Sequence, residues 1–371
     1  MTVLFITACD SCLGQATAHA ILSSPEIKAR YSEIRAGYGE FTLFAAGRTV
    51  YPAAWASANP AAANTAKQLE ELQSLGAVLV PYNPAVEREA AAAFNGADIV
   101  LLTPPSDVGG SSCSDELALD GEKARREVLT MARLAQDIVT AAAKTPSVKR
   151  LITFSVLHKT NLLAATSTGS MYEAMVEYPV IAAYSALEAH VAKIFAGANK
   201  AAVIARSAVN IELLFMWSGD IAQSSKLSLP LGTSSARFAP VAFRDYVDAL
   251  VALASPSSTA GNDGGVAALN FTGPDLVGPS ELAAVLSTSL GREIAVDAAV
   301  SAESVSAGLR ANPHCSVHVR YFANDTLKLI RSGEMNTASN DLEGVLGRKP
   351  QSLASVVSMY KAAFSPQTAS D

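Results

Sequence analysis

Between residues 2 and 206 the chain alternates short apolar runs with segments of helical periodicity, and this alternation constrains the fold more than any other feature. TVLFITA (2–8) is continuously apolar, as a strand buried on both faces must be. GQATAHAILSS follows as a helix with Ala16, Ala20 and Leu22 near one face. FTLFAAG (41–47) reads as a second strand and AAANTAKQLEELQSLG (61–76) as a helix closed by a glycine. AVLVPYN is a third strand, VEREAAAAFNG a helix with its own glycine stop, and ADIVLLTPP a fourth strand. KARREVLTMARLAQDIVTAAAKT (123–145) is a long amphipathic helix whose charges form a solvated face. VKRLITFS (148–155), AYSALEAHVAKIFAG (183–197) and AAVIAR (201–206) complete the series as strand, helix and strand.

Buried strands joined by helices specify an α/β fold with a doubly wound parallel sheet, its crossovers right-handed. Ligands of such sheets bind beyond the carboxyl ends of the strands. The exits at 8–14, 47–49, 82–84, 103–105 and 155–159 are therefore where binding residues are expected. Residues 1–206 read as this nucleotide-binding type of domain. Residues 207–371 are less regular, with helices at 243–255 and 278–291 among short extended pieces, and read as a smaller α/β C-terminal region on the substrate side. The stretch around 255–265 is an exposed loop, and no internal repeat is present.

Composition narrows the class further. Half of the 371 residues are hydrophobic and 17% are charged, which suits a globular chain with a large buried core and argues against disorder. A net charge of -6 disfavours broad nucleic-acid binding. Four cysteines in a chain this long make no disulfide framework, so a reducing compartment, the cytoplasm, is expected. The apolar N-terminus lacks a basic flank and reads as a strand rather than a signal peptide. No run reaches the length needed to span a bilayer, so no membrane association is expected.

The turn after the first strand, ITACDSCLGQ (6–15), is where a dinucleotide-binding chain needs glycines: for a tight turn, for close approach of pyrophosphate, and for helix packing. Only the last of these, Gly14, is present. Ala8 is one methyl larger than the first glycine and is tolerated if its φ stays negative. Ser11 and Cys12 crowd the phosphate approach, while the helix opening near Leu13 still offers N–H groups to an anion. Ala8, Asp10, Ser11, Cys12, Leu13 and Gly14 are the candidate phosphate contacts. Cys9 and Cys12 form a C-x-x-C, which is either a redox pair or a pair of small-residue replacements. His314, Cys315 and His318 have metal-like spacing without a fourth ligand, so no metal site is assigned.

These pieces together resemble the NmrA-like branch of the short-chain dehydrogenase/reductase superfamily. The likeness runs in order through FITACDSCLGQATAHAIL, FAAGR, FNGADIVLLTPP and VKRLITFSVL. It continues in LNFTGPDLVGPSELAAVLSTSLGREIAV and DLEGVLGRKPQSLASVV, the most specific pieces. The resemblance implies a preference for NADP(H). Arg48 matches the arginine that meets the adenosine 2′-phosphate, a pairing suited to a guanidinium fork. Tyr82 and Asn83 match positions near the adenine. Thr103, Pro104 and Pro105 match the ribose and pyrophosphate side, and Ser155 and Val156 the nicotinamide side. Other members of the superfamily carry Tyr-x-x-x-Lys, in which the ammonium lowers the phenol's pKa. Tyr184 matches the tyrosine, but Glu188 stands where the lysine belongs. Aligned instead to NmrA-like members, Glu188 matches their helix glutamate and Tyr184 replaces their lysine. Candidate proton donors are therefore Tyr184, His158 and Lys159. Arg206, Asn210 and Trp217, after the sixth strand, are the candidate substrate contacts.

Three functions follow as expectations. One is an NADP(H)-dependent oxidoreductase on a small organic molecule that accepts hydride without strong acid help. Another is a non-catalytic NADP(H) sensor that regulates a protein partner. The third is a cyclase or isomerase on the same fold.

Overall fold

The computed structural model describes residues 2–39, 60–103, 121–158, 177–231, 236–260, 265–297, 300–301, 304–305 and 317–364. A seven-stranded sheet has the order β3-β2-β1-β4-β5-β6-β8. Its strands are β1 (Val3–Ile6), β2 (Glu33–Gly39), β3 (Val78–Tyr82), β4 (Ile99–Leu102), β5 (Arg150–Val156), β6 (Ala201–Ser207) and β8 (Val266–Phe271). β1 pairs in parallel with β2 and β4, β2 with β3, and β4 with β5. The order reverses direction between β1 and β4, which makes their exits the topological switch point of a doubly wound, Rossmann-like sheet. The helices of this half are α1 (Cys12–Leu22), the short α2 (Pro25–Lys28), α3 (Pro60–Ser74), α4 (Glu87–Phe94), α5 (Gly121–Lys144) and α6 (Pro179–Gly197). α1 touches α3 and α4 touches α5, the grouping expected of helices on a doubly wound sheet.

The described apolar runs formed strands where expected; the strand expected at 41–47 lies outside the described residues. Between β1 and β3 the sheet also has Glu33–Gly39, which the sequence reading missed. Glu33, Arg35, Gly37 and Gly39 break its apolar run and hide it from a hydrophobicity reading. The Gly37 gap has a cause: a Cβ there would lie 2.4 Å from Phe5 Cε1. The Phe5 ring fills that space and meets Tyr82 and Phe94 edge-on, at centroid distances of 5.6 and 4.9 Å. Pairs of this kind add about 0.5–1.5 kcal/mol each beyond the buried area. The helix-ending glycines are as read, Gly76 and Gly96 having φ of 99° and 81°.

The chain divides into two compact units, and not by a single cut. One comprises Met1–Ser155, Ala182–Ala205 and Val247–Leu269; the other Val156–Ile181, Arg206–Tyr246 and Asn270–Asp371. The first takes in α8 (Phe243–Ala254) from Val247 on, and most of β8, a seventh strand supplied from beyond residue 206. In this unit Arg150, buried at the start of β5, donates to the carbonyls of Ser255 and Ser258, both at 2.7 Å. It thereby neutralises the carboxyl end of α8.

The second unit contains a 3-10 turn, Ile211–Trp217, then α7 (Ser218–Ser224) and a two-stranded sheet of β7 (Lys226–Leu227) and β9 (Ala295–Val296). Helices α9 (Pro279–Leu290), α10 (Val317–Arg331), α11 (Asp341–Leu346) and α12 (Leu353–Met359) complete it. The segment DLEGVLGRKPQSLASVV works as a clamp. Asp341 accepts from Asn270 N at 2.7 Å, and buried Asp245 accepts from Gln351 N at 2.5 Å. Arg348 pairs with Asp245 at 2.7 Å.

α6 corrects the expectation that no run is long enough for a membrane. By length and hydropathy it passes as a span, yet half of its apolar window is buried in the fold. Val180, Ile181, Leu187, Val191 and Phe195 form the buried face of a core helix.

Candidate functional site

The turn after β1 is built around its missing glycines. Ala8 has φ +46°, the left-handed conformation a glycine would take, so the condition expected for its tolerance is not met. An alanine there costs about 1–2 kcal/mol. The turn still closes, because Ser11 N and Ser11 Oγ both donate to Ala8 O, at 2.8 and 2.7 Å. Gly14 has no substitute: a Cβ on it would lie 2.1 Å from Ala8 O and 2.9 Å from Thr103 Oγ1.

The Ser11 side chain turns back as the N-cap of α1 and accepts from Gly14 N at 3.2 Å. Of the N–H groups that open α1, Gln15 N is satisfied by Ser11 O and Gly14 N by Ser11 Oγ. Those of Cys12 and Leu13 find no acceptor among the described residues. The Cys12 side chain at this position is exposed. Two free N–H groups at the positive end of an 11-residue helix are an anion-binding arrangement.

Behind the turn, Thr7 and Thr103 clasp the two strand exits of the switch point. Thr103 Oγ1 donates to Thr7 O at 2.6 Å, Thr7 Oγ1 donates to Thr103 O at 3.2 Å, and Thr103 N donates to Thr7 Oγ1 at 3.0 Å. Both threonines are fully buried. Thr103 is thus a buried strut between the two exits, its hydroxyl proton used within the clasp. Tyr82 is likewise a core residue instead of an adenine neighbour. It is 4% exposed and packs on Phe5 and Phe94. Burial, reinforced by the Asp10 carboxylate, pushes its phenol far above the ordinary range. Burial, with Asp10 again adding, also pushes the Cys9 thiol well up. Both cysteines are free thiols.

At the other exits, Asn83 Oδ1 accepts from Ala85 N at 3.0 Å and shapes the turn into α4. Ser155 Oγ donates to Glu188 Oε1 at 2.6 Å, with both groups buried. This explains Glu188: a carboxylate buried in α6 is held by the hydroxyl of β5. Tyr184, one helical turn earlier, is buried and meets Phe154 edge-on at 5.2 Å. Val156 is buried, and its carbonyl lies 2.8 Å from His158 Nδ1. Nδ1–H is the donor there.

In the second unit Asn210 and Trp217 come together. Both line one apolar crevice, with Leu214, Leu229, Leu231 and Thr326. Asn210 is half-exposed at its mouth and its Oδ1 accepts from Ser207 Oγ at 3.3 Å. Arg206 is half-buried on β6 and does not line this crevice. Arg48, Pro104, Pro105, Lys159, His314 and Cys315 lie outside the described residues. Among the described residues no group of His, Cys, Asp and Glu is arranged for a metal.

Two buried polar residues of α10 escaped the sequence reading. Asp325 is fully buried and its Oδ2 accepts from Val180 N at 2.8 Å and Ile181 N at 3.4 Å, capping the start of α6. Burial, partly offset by those N–H groups and by Lys328, lifts its carboxyl to about 7. Thr326 is fully buried, and its hydroxyl has no partner. A signal existed for Thr326: with Ala323, Leu327 and Ile330 it stands at i, i+3, i+4 and i+7, a polar residue on an apolar stripe.

No family model matches the chain. No curated protein matches it in sequence. The fold does have relatives. An NADPH-dependent quinone oxidoreductase from Escherichia coli, solved with NADPH, aligns at a TM-score of 0.66 and 15% identity, over 96% of this chain and 99% of that one. Citrobacter sp. triphenylmethane reductase, solved with NADP(H), aligns at 0.65 and 13%, again over 96% and 99%. A nucleoside-diphosphate-sugar epimerase from Staphylococcus aureus aligns at 0.63 and 14%, over 96% and 100%. The chain therefore has the Rossmann-like α/β fold shared by these reductases and epimerases.

Proposed function

We propose that this protein is an NADP(H)-dependent oxidoreductase of the NmrA-like type acting on a small organic molecule. The observation that carries the reading is the open mouth of α1, where Cys12 N and Leu13 N point two unused donors out of a turn at the switch point. These donors, over Ala8 and Gly14, would hold the pyrophosphate. The Asp10 charge adds to burial in raising both Cys9 and Tyr82. Asn83 would stand beside the adenine, Ser155 and Val156 at the nicotinamide end, and Arg48 at the 2′-phosphate. The fold relatives solved with NADPH, NADP(H) and NADP+ support the choice of cofactor.

Bound NADPH supplies hydride, and the protein supplies position and proton. Glu188 holds Ser155 and fixes α6 against β5. Tyr184, on the same face of α6, is the proposed proton donor, with His158 and Lys159 as the other candidates. Four residues on, Glu188 stands where the lysine of a Tyr-x-x-x-Lys pair would stand. The suited substrate is one that takes hydride without strong acid help: a quinone, an iminium or an activated alkene. Asn210, Trp217 and Arg206 are the proposed substrate contacts.

Titration with NADPH and NADH, followed by NADPH oxidation in the presence of quinone, imine and enone panels, tests the reading. Tight NADPH binding with turnover supports it. Failure to bind either nucleotide would overturn it. Binding without turnover, joined to a protein partner that prefers one redox state, would replace it with the sensor reading that the missing Tyr/Lys pair motivates.

A further inference from the structure

We propose that the cleft at the amino ends of β4, β5 and β6 binds a small phosphomonoester, its phosphate held by Lys149 and Lys200 and its apolar body resting against Pro146, Ala198 and Pro256. This goes beyond the reductase reading and does not rest on it.

Three neighbouring strands are each preceded by a charged residue: Asp98 before β4, Lys149 before β5 and Lys200 before β6. Backbone bonds set them side by side. Lys149 N donates to Asp98 O at 2.8 Å, and Ala201 N donates to Lys149 O at 3.2 Å. Adjacent strands lie about 4.8 Å apart, so the three residues form one row. They edge an open cleft of about 550 Å³, a size suited to a small molecule. Its whole lining belongs to the first compact unit.

The lining carries three cations, Lys149, Arg150 and Lys200, and one carboxylate, Asp98, a net charge of +2. The fold uses these groups unequally. Arg150 is buried and committed to the carbonyls of Ser255 and Ser258. Asp98 accepts from Val3 N at 3.0 Å and from Lys149 Nζ at 2.6 Å. Burial acts to raise its carboxyl, but Lys149 and Val3 N outweigh it and hold the group below the ordinary range. It is therefore charged at neutral pH and offsets one lysine. Lys200 has no carboxylate partner among the described residues. Its Nζ donates to Ala143 O and Thr145 O, both at 2.7 Å, at the end of α5. The carbonyls of a helix end amount to about half a charge. Burial also lowers the Lys200 ammonium from its ordinary value. A half-buried ammonium short of both water and counter-ion favours an incoming anion.

Donors remain to hold one. Lys200 has spent two of its three protons and Lys149 one. The Lys149 side chain is 76% exposed, so its pair with Asp98 is weak and its charge is readily shared. A phosphomonoester carries about -1.5 to -2 at neutral pH, which matches the net charge of the lining. A bare phosphate would leave most of the cleft empty, and Pro146, Ala198 and Pro256 offer exposed apolar surface for a body attached to it. The cleft lies at the strand starts and the mouth of α1 at the strand ends, so the two do not compete for one anion.

Phenyl phosphate, inorganic phosphate and phenol, titrated calorimetrically into the full-length protein, test the proposal. Phenyl phosphate should bind saturably and more tightly than either of the others. Lys149→Gln lowers the net charge of the lining to +1 and removes a donor, and should weaken phenyl phosphate about tenfold. Asp98→Asn keeps an acceptor for Val3 N, raises the net charge to +3 and frees Lys149. It should tighten phenyl phosphate about threefold, and it carries the test if the lysine variant does not fold. Lys200→Arg keeps the charge and should keep the binding. Absence of saturable binding overturns the proposal, as does a phenol affinity equal to that of phenyl phosphate. An affinity indifferent to both Lys149→Gln and Asp98→Asn places the anion elsewhere, as at the mouth of α1, and overturns it too. Loss of NADPH binding with these results intact would remove the reductase reading and leave the cleft.

Discussion

The turn after β1 and the crevice under α10 depart from simple rules in opposite ways. In the turn, the sequence breaks the expected pattern and the backbone restores it: Ala8 adopts a glycine's φ, and Ser11 folds back to cap the helix. Under α10, the apolar helix pattern is kept and one side chain breaks it, Thr326 declining the helix carbonyl. The first departure is compensated locally, within a few residues. The second has no compensation within the described chain. A compensated departure is best tested by undoing the compensation.

The largest effect should come from closing the turn. Gly14→Ala drives a Cβ onto backbone, 2.1 Å from Ala8 O and 2.7 Å from Ala8 C, and onto the Thr103 hydroxyl. Neither neighbour can rotate away, because Thr103 is clasped to Thr7. We expect a loss of about 3 kcal/mol or more in urea unfolding, together with loss of NADPH binding. A wild-type midpoint would mean that the turn is softer than its hydrogen bonds imply.

Asp325 comes next and can be separated by pH. Its folded pKa, about 7, lies above the ordinary 3.8, so folding takes up a proton between those values. The stability it contributes is complete below about pH 4 and is lost as pH rises through 7. Asp325→Asn keeps an acceptor for Val180 N and Ile181 N and removes the charge. The variant should therefore gain up to about 4 kcal/mol over wild type at pH 8 and little at pH 4. Thermal melts at the two pH values check this, and an equal difference at both would exclude the proton linkage. Ser155→Ala should cost about 1–3 kcal/mol, since it strips the buried Glu188 of its hydroxyl donor. Pairing it with Glu188→Gln in a double-mutant cycle measures the coupling, and additive losses would show that the bond contributes nothing.

What the sequence made legible divides along the same line. Runs such as IVLL in β4 announced themselves because burial on both faces leaves no polar position. β2 did not, because Gly37 exists to admit Phe5, and no local pattern records a ring arriving from another strand. In the site, Gly14 and the helix mouth were legible from spacing. The inward roles of Tyr82 and Thr103 were not, since a strand exit looks the same in sequence whether its side chains face ligand or core. Asp325 was invisible for a similar reason: its partners, Val180 N and Ile181 N, are backbone groups far along the chain.

The smallest effect is the most discriminating for the turn. Ala8→Gly relieves a left-handed alanine, worth about 1–2 kcal/mol. It also gives back about 0.5–1 kcal/mol in unfolded-chain entropy. The net should be a gain near 0.5 kcal/mol, with NADPH affinity changed less than about twofold because the donors at Cys12 N and Leu13 N do not move. Ser11→Gly, a change in the same family-like direction, should act oppositely: it removes the bonds to Ala8 O and Gly14 N and weakens both stability and binding. If instead Ser11→Gly tightens NADPH, the serine obstructs the phosphate after all, and the turn is a worn glycine loop rather than a rebuilt one.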